Sequence, residues 1–409
     1  MKVLLISLYP PTKHNIGGPS SLPFYLAKYR PDTIEMDLFY YEGYENREDI
    51  FIKDLQSVFQ NIRLIRHTPK WKYYPLRLLQ EFSLIPSFRG LSLKHLPCGG
   101  DIRKVGEGKY DLIWIYTGLL FPWAIALKQY RQVMTGPDNL LLHHQLVDQI
   151  YVRKGRAVPG NVSSRAVKKF FDFALHRERR WASSGTLLHV VGVDDKKIYD
   201  QLGAASHSFF SPHPYYDFVP IHQTIDQTNG KLTILVAGSN RSIYTGNYFD
   251  NVVSLLQDNK YLAVHYNFLL IGKEFEAAAG ILQQSGFEVE NRLWVKSYEH
   301  TIAACHIQFF PIILGTGTKG KVLCSLATGL LAIGSKYAFE NILFDPKEDA
   351  CLLRNEDAFG VIEAFRSIVD NRSLFAEKAR RAAEKIRTLH APAVTAELFW
   401  KKVLSFWAH

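Results

Sequence analysis

Short apolar runs punctuate the chain at residues 3–8, 112–116, 140–143, 187–191, 232–237, 268–271, 307–311 and 331–334, with stretches of helix length between them. Each run is apolar on both alternations. That is the pattern of parallel strands covered by helices on both faces, and it predicts an α/β fold. Residues 211–231 read SPHPYYDFVPIHQTIDQTNGK, with three prolines and an Asn-Gly turn ahead of a new strand. Such a stretch is a linker, and it divides the chain into domains at 1–212 and 230–391. The second half repeats the strand, glycine loop and helix of the first, so two similar sandwiches facing one cleft are expected. The last segment carries Phe399, Trp400, Val403, Leu404, Phe406 and Trp407. Read as a helix, it must dock, either on its own domain or back on the first.

Composition narrows the class. With 409 residues and 47% hydrophobic content there is material for two cores, which excludes a disordered, collagenous or coiled-coil chain. Lysine and arginine number 49 against 39 acids, a surplus of +10 that favours anionic partners: nucleic acid, acidic lipid headgroups or phosphorylated substrates. Nucleic acid is disfavoured, because no recognition motif accompanies the charge and the basic residues are spread over both domains. Cys98, Cys305, Cys324 and Cys351 form no CxxC pair, which suits buried thiols in a reducing cytosol rather than a zinc ribbon or a disulfide scaffold. The opening apolar run stops at two prolines without a cleavage site and reads as a first strand, not a signal peptide. The stretch 112–127 contains Gly118 and Pro122 and falls short of the ~20 apolar residues of a membrane span.

Residues 61–94 are the least regular by pattern. They interleave Arg63, Arg66, Lys70, Lys72, Arg77 and Arg89 with Trp71, Tyr73, Tyr74, Phe82 and Phe88. Two readings stand side by side: a surface that meets anionic lipid headgroups, and a solvated insertion whose aromatics pack on the domain.

The richest chemistry lies at Gly315-Thr316-Gly317-Thr318-Lys319-Gly320-Lys321, between an apolar run and a helical one. Backbone amides at a glycine turn and a helix N-terminus, with two ammonium groups beside them, make an anion site, and phosphate is the natural ligand. The alternative is that the glycines only make a tight turn. As GxGxxG the loop lacks an acid after the next strand, where Ser335 and Lys336 stand; as a Walker loop it fails at Val322, which has no hydroxyl for magnesium. A second glycine loop, at Gly17 and Gly18, follows the first strand, and a third, Gly238-Ser239-Asn240-Arg241, adds a guanidinium suited to a forked phosphate contact. The run 140–143 reads as a strand with His143 and His144 at its carboxyl end, either packed and capping or touching a ligand. No HxxxH, HExxH or strand-end Asp-x-Asp points to a metal, and none is expected.

Together these loops resemble a GT-B glycosyltransferase, more specifically the branch of glycosyltransferase family 4 that builds bacterial surface polysaccharides. FFPIILGTGTKGKVLCSLATGLLAIGS is similar to that family's GxGTRxK loop, LEAMAxG helix and following strand, with Lys319 and Lys321 at its two basic positions. LYPP with Gly17 and Gly18, His144-Gln145, RERRWASSGTLLHVVGVDD and LTILVAGSNRSIYTGN are looser matches in the family's order. The resemblance implies two Rossmann-like domains and transfer from a nucleotide sugar to a saccharide or lipid-linked glycan acceptor. It also implies retention of configuration, no bound metal or other cofactor, and work on the cytoplasmic side of a membrane, in lipopolysaccharide or polysaccharide assembly. Gly238, Ser239, Arg241 and residues 315–321 would lie near the diphosphate, with Gly17, Gly18 and His144 toward the sugar and acceptor. One departure stands out: Cys324 occupies the position of the Glu that holds the ribose in the family, and a thiol is a poor acceptor for two hydroxyls. Thr245 and Asn247 stand near where many relatives place a lysine. A non-catalytic scaffold of the same fold, or a nucleotide-sugar epimerase, are the alternatives.

Overall fold

The computed structural model describes residues 1–13, 21–41, 48–81, 91–136, 138–159 and 163–408. Among them lie two all-parallel sheets. The first orders its strands β3-β2-β1-β4-β5-β6-β7, with β1 Lys2–Ser7, β2 Glu35–Tyr41, β3 Ile62–Ile65, β4 Leu112–Tyr116, β5 Arg131–Thr135, β6 Leu187–Val190 and β7 Ser208–Phe210. The second runs β10-β9-β8-β11-β12-β13, with β8 Leu232–Ser239, β9 Tyr266–Lys273, β10 Glu288–Arg292, β11 Ile307–Phe310, β12 Leu331–Ser335 and β13 Cys351–Leu353. In each sheet the strand order reverses once, between β1 and β4 and between β8 and β11. Ligands of open α/β sheets bind outside the carboxyl ends of the strands at such a reversal.

Inner strands are largely apolar because helices cover both faces: β4 (LIWIY) and β12 (LAIGS) are buried at every position. The strands that escaped the pattern are those at edges or with polar members. The edge strand β10, EVENR, is largely exposed, and β5, RQVMT, begins on an exposed Arg131. Residues 61–94, irregular by pattern, contain β3 and a helix Lys70–Glu81 with Pro75 inside it.

The chain forms two units, residues 1–145, 165–214 and 392–409 in one, and 146–164 and 215–391 in the other. In the first unit the terminal helix Pro392–Trp407 docks through its aromatic face: Trp400 Nε1 donates to Leu26 O at 2.8 Å, and Phe399 lies 5.0 Å from Trp114, ring to ring. In the second unit residues 215–231, without regular structure, are nevertheless tied down. Tyr215 N donates to His390 O (3.1 Å), Ile221 N to Thr328 O (3.0 Å) and His222 N to Ala303 O (2.9 Å), and Arg387 stacks on Phe218 at 4.9 Å.

Two imidazoles of the first unit are buried and neutral. His189, beside Thr135 and Ser211 (3.1 and 2.6 Å), is lowered to about 3 by burial and by His213. His95 is lowered to about 4 by burial, then by His67 and Lys94. Both folded values lie below the ordinary 6.5, so as pH falls below 6.5 the unfolded chain binds protons first and stability drops until the folded values are reached. Urea unfolding at pH 7 and pH 5 should differ by about 2 kcal/mol for each imidazole, pH 7 being the more stable. His189→Asn, if it folds, should remove that residue's share of about 2 kcal/mol and leave the share of His95.

Candidate functional site

The reversal in the second sheet places two glycine loops at neighbouring strand ends, one after β8 and one after β11. At the first, Gly238 (φ 145°) and Gly272 (φ 132°) bring β8 and β9 so close that a Cβ on Gly272 would lie 1.7 Å from Gly238 O. Only glycine fits there. Beyond it, Asn240 Nδ2 and Arg241 Nε divide the two oxygens of Asp250 at 2.9 and 2.6 Å, and Ser239 Oγ donates to Glu274 Oε2 at 3.1 Å. Arg241 takes a left-handed φ of 55° and its guanidinium is exposed. Thr245 closes the loop: its hydroxyl accepts from Ser242 N (3.0 Å) and donates to Ser239 O (3.2 Å).

The second loop leaves β11 and enters the helix Gly320–Thr328. Its outward path is fixed by Ser335 Oγ donating to Ile312 O (2.7 Å) and Asn355 Nδ2 to Ile313 O (3.0 Å). Lys319 folds back across the turn. Its ammonium donates to Thr316 O and Gly317 O, both at 3.0 Å, and pairs with Glu340 at 3.4 Å, while Asn341 Nδ2 also reaches Gly317 O. Gly315 makes room for this, because a Cβ there would meet Lys319 Cε at 2.6 Å; Gly317 supplies the turn with φ 62°. Lys321, one residue into the helix, keeps an exposed surface, and the burial of the rest of the side chain lowers its pKa from the ordinary lysine value. It stands beside the free amides of the helix start, where anions are favoured. Thr316 and Thr318, just ahead of the two lysines in the loop, are half-buried.

Cys324 is fully buried on the inner side of that helix. Burial, with Glu299 adding to it, pushes the thiol up to about 12, so it is protonated and offers nothing to a ligand. Ser325 and Thr328 are equally buried, and Ser325 is spent on Gln308 and on Lys321 O.

In the first unit the expected strand at 140–143 is a helix, Leu140–Val147, so His143 and His144 stand within a helix rather than at a strand end. The reason is remote. Asn139 Oδ1 caps Leu142 N at 2.9 Å, Asp195 Oδ1 holds Asn139 N at 2.6 Å, and Glu178 Oε1 holds Leu140 N at 3.1 Å. Amides satisfied at a helix start favour the helix over a strand. His144 stacks flat on Phe170 (5.8 Å) and edge-on to His143 (5.5 Å), and burial, then His143 and Arg177, lower it to about 4. It is a neutral imidazole at neutral pH. Gly17 and Gly18 lie outside the described residues.

Sequence reasoning passed over Glu178 and Asp195, although both lie in the quoted RERRWASSGTLLHVVGVDD. Glu178 is fully buried, with Arg177 at 2.7 Å and the Tyr199 hydroxyl at 2.5 Å, and Arg177 lies over Trp181 at 4.7 Å. The acid is a hub that orients the His144 helix. Glu178→Ala leaves Arg177 buried without its partner, and a loss of about 3 kcal/mol or more is expected in denaturant unfolding.

Among the described residues no group of three or more His, Cys, Asp or Glu is placed to hold a metal ion. No family model and no curated protein matches the chain. Solved structures do. Sucrose-phosphate synthase from Thermosynechococcus elongatus is similar over 100% of this chain and 99% of its own (TM-score 0.69, 14% identity). Anabaena HepE in complex with UDP-glucose is similar over 99% and 100% (0.63, 14%). The lipopolysaccharide outer core galactosyltransferase WaaB matches over 99% and 99% (0.57, 12%). The fold is GT-B. Both Rossmann-like units of this GT-B chain, and not one alone, are matched at these coverages.

Proposed function

We propose that this chain is a glycosyltransferase that moves a sugar from a nucleotide-sugar donor to a saccharide or lipid-linked glycan acceptor. The observation that carries the reading is the pairing of the Gly238–Arg241 and Gly315–Lys321 loops at the strand reversal of the second sheet, in a fold shared with HepE, which was solved with UDP-glucose. In this reading the diphosphate sits against the amides of residues 319–321 with the exposed Lys321 ammonium beside it. Cations and oriented amides stabilise the charge that grows on the leaving group, and they do so best when no reorganisation is needed. Arg241, presented by Asp250, adds a guanidinium from the neighbouring loop. Lys319 holds the loop in shape while donor is absent. The neutral His144 can accept a hydrogen bond from a sugar hydroxyl without bringing a competing positive charge. Retention of configuration, independence of metal and a place in cell-surface glycan assembly on the cytoplasmic side belong to the same proposal.

The burial of Cys324 favours a second reading, a scaffold of the same fold that has lost its donor, since the family's ribose carboxylate has no replacement on that helix. Calorimetry with UDP, GDP and CMP sugars separates the two. Binding of one donor, followed by mass-spectrometric detection of a glycosylated cell-envelope acceptor, supports transfer. No binding by any donor supports the scaffold, and free sugar released without acceptor points to an epimerase.

A further inference from the structure

The helix Lys70–Glu81 is mounted on the first unit by few of its residues. Of the side chains from Lys70 to Leu79, only Tyr73 and Leu76 are partly buried, and they mark the face toward the domain. The mount is firm: just before the helix, Thr68 N donates to Lys94 O (3.0 Å), Thr68 Oγ1 donates to Leu96 O (3.1 Å), and His67 stacks on Tyr41 (5.1 Å). Away from the domain, Trp71 (73% exposed), Tyr74 (48%) and Leu78 (56%) follow one another at i, i+3 and i+7, with Pro75 and Leu79 widening the stripe. A soluble helix turns such a stripe inward; here it is turned out, while the residues that are buried form a narrower one.

Lys70 and Arg77 border this stripe on one side and Lys72 borders it on the other. From residue 61 to the helix's last residue, Glu81, the chain has five lysines and arginines against that single acid. Long basic side chains beside an exposed apolar stripe can lay their stems along the hydrocarbon boundary and raise their charges to phosphates, and Trp and Tyr favour the headgroup level. We propose that this helix lies in the headgroup region of an anionic bilayer, Trp71, Tyr74 and Leu78 inserting and Lys70, Lys72 and Arg77 contacting lipid phosphates. It is an in-plane attachment, and no helix among the described residues is long and apolar enough to cross a membrane. The proposal does not rest on the transfer reading, because it concerns only where the chain resides.

The test is flotation of the full chain with vesicles of phosphatidylcholine alone and of phosphatidylcholine with roughly 30% phosphatidylglycerol. The wild type should float with the anionic vesicles and be released by salt. Trp71→Ala/Leu78→Ala should bind at least ~10-fold more weakly, since each buried side chain contributes that order to partitioning. Lys70→Gln/Lys72→Gln/Arg77→Gln should lose about 100-fold on anionic vesicles and most of the salt dependence. Because all these side chains are exposed, circular dichroism and melting should match the wild type. Absence of wild-type binding to anionic vesicles, or variants that bind as well as the wild type, would overturn the proposal. So would a vesicle-free sedimentation experiment in which Trp71→Ala/Leu78→Ala turns a dimer into a monomer, which would assign the stripe to a second copy of the chain.

Discussion

Lys321→Ala is expected to lower glycosyl transfer about 100-fold or more while leaving thermal stability unchanged. Lys321 is an exposed residue and its ammonium makes no hydrogen bond to another of the described residues, so its removal should cost little in folding. Under the proposed reading the loss is felt when the diphosphate departs, because the helix amides and Arg241 then face the charge without that ammonium. Lys319→Ala should cut turnover to a similar extent but by a different route. The Lys319 ammonium holds Thr316 O, Gly317 O and Glu340 together, so that variant should also melt earlier and weaken donor affinity. Steady-state kinetics and a melting curve on the two proteins tell the routes apart. Unaltered turnover in both would remove these lysines from the chemistry.

Gly272→Ala should be the most damaging single-atom change in the second unit. The new Cβ meets Gly238 O at 1.7 Å, a backbone atom that can retreat only by opening the β8–β9 pairing, and a φ of 132° is strained for any side chain. A loss of more than about 3 kcal/mol is expected from that overlap and strain together. If enough protein folds to assay, donor affinity should fall as well, since Gly238, Ser239 and Arg241 are displaced with the strand end. Gly280→Ala is the matched control. It lies in the helix Glu276–Gln284 with open space where the methyl would go, and should stabilise by about 0.5 to 1 kcal/mol. Equal stability of the two variants in urea would show that the close approach of the strand ends carries no weight.

Much of the architecture was legible because it is written locally. A strand buried on both faces is apolar on both alternations along most of its length, so β1, β4, β6, β8, β11 and β12 announced themselves as continuous runs. The 315–321 loop was visible for the same reason: glycines and lysines between a strand and a helix have a meaning that needs no distant partner. Edge strands such as β10 bury too little to leave a pattern. The run 140–143 misled because four aliphatic and aromatic residues suit a strand or a helix equally. Pro137-Asp138-Asn139 was the nearby sign of a helix start, and the two acids that complete it stand about forty and fifty-five residues further on.

The sequence by itself determined the α/β class, the two halves and the two glycine loops that follow β8 and β11, since backbone demands and two-sided burial act on adjacent residues. The tertiary structure alone decided which way the charges point. Lys319 turns inward because Gly315 leaves space and Glu340 and Asn341 close around the turn, whereas Lys321 stays out, Cys324 is sealed in, and Trp71 faces solvent. Side-chain direction and burial are set by what packs from elsewhere in the chain, and residue spacing carries no record of those neighbours.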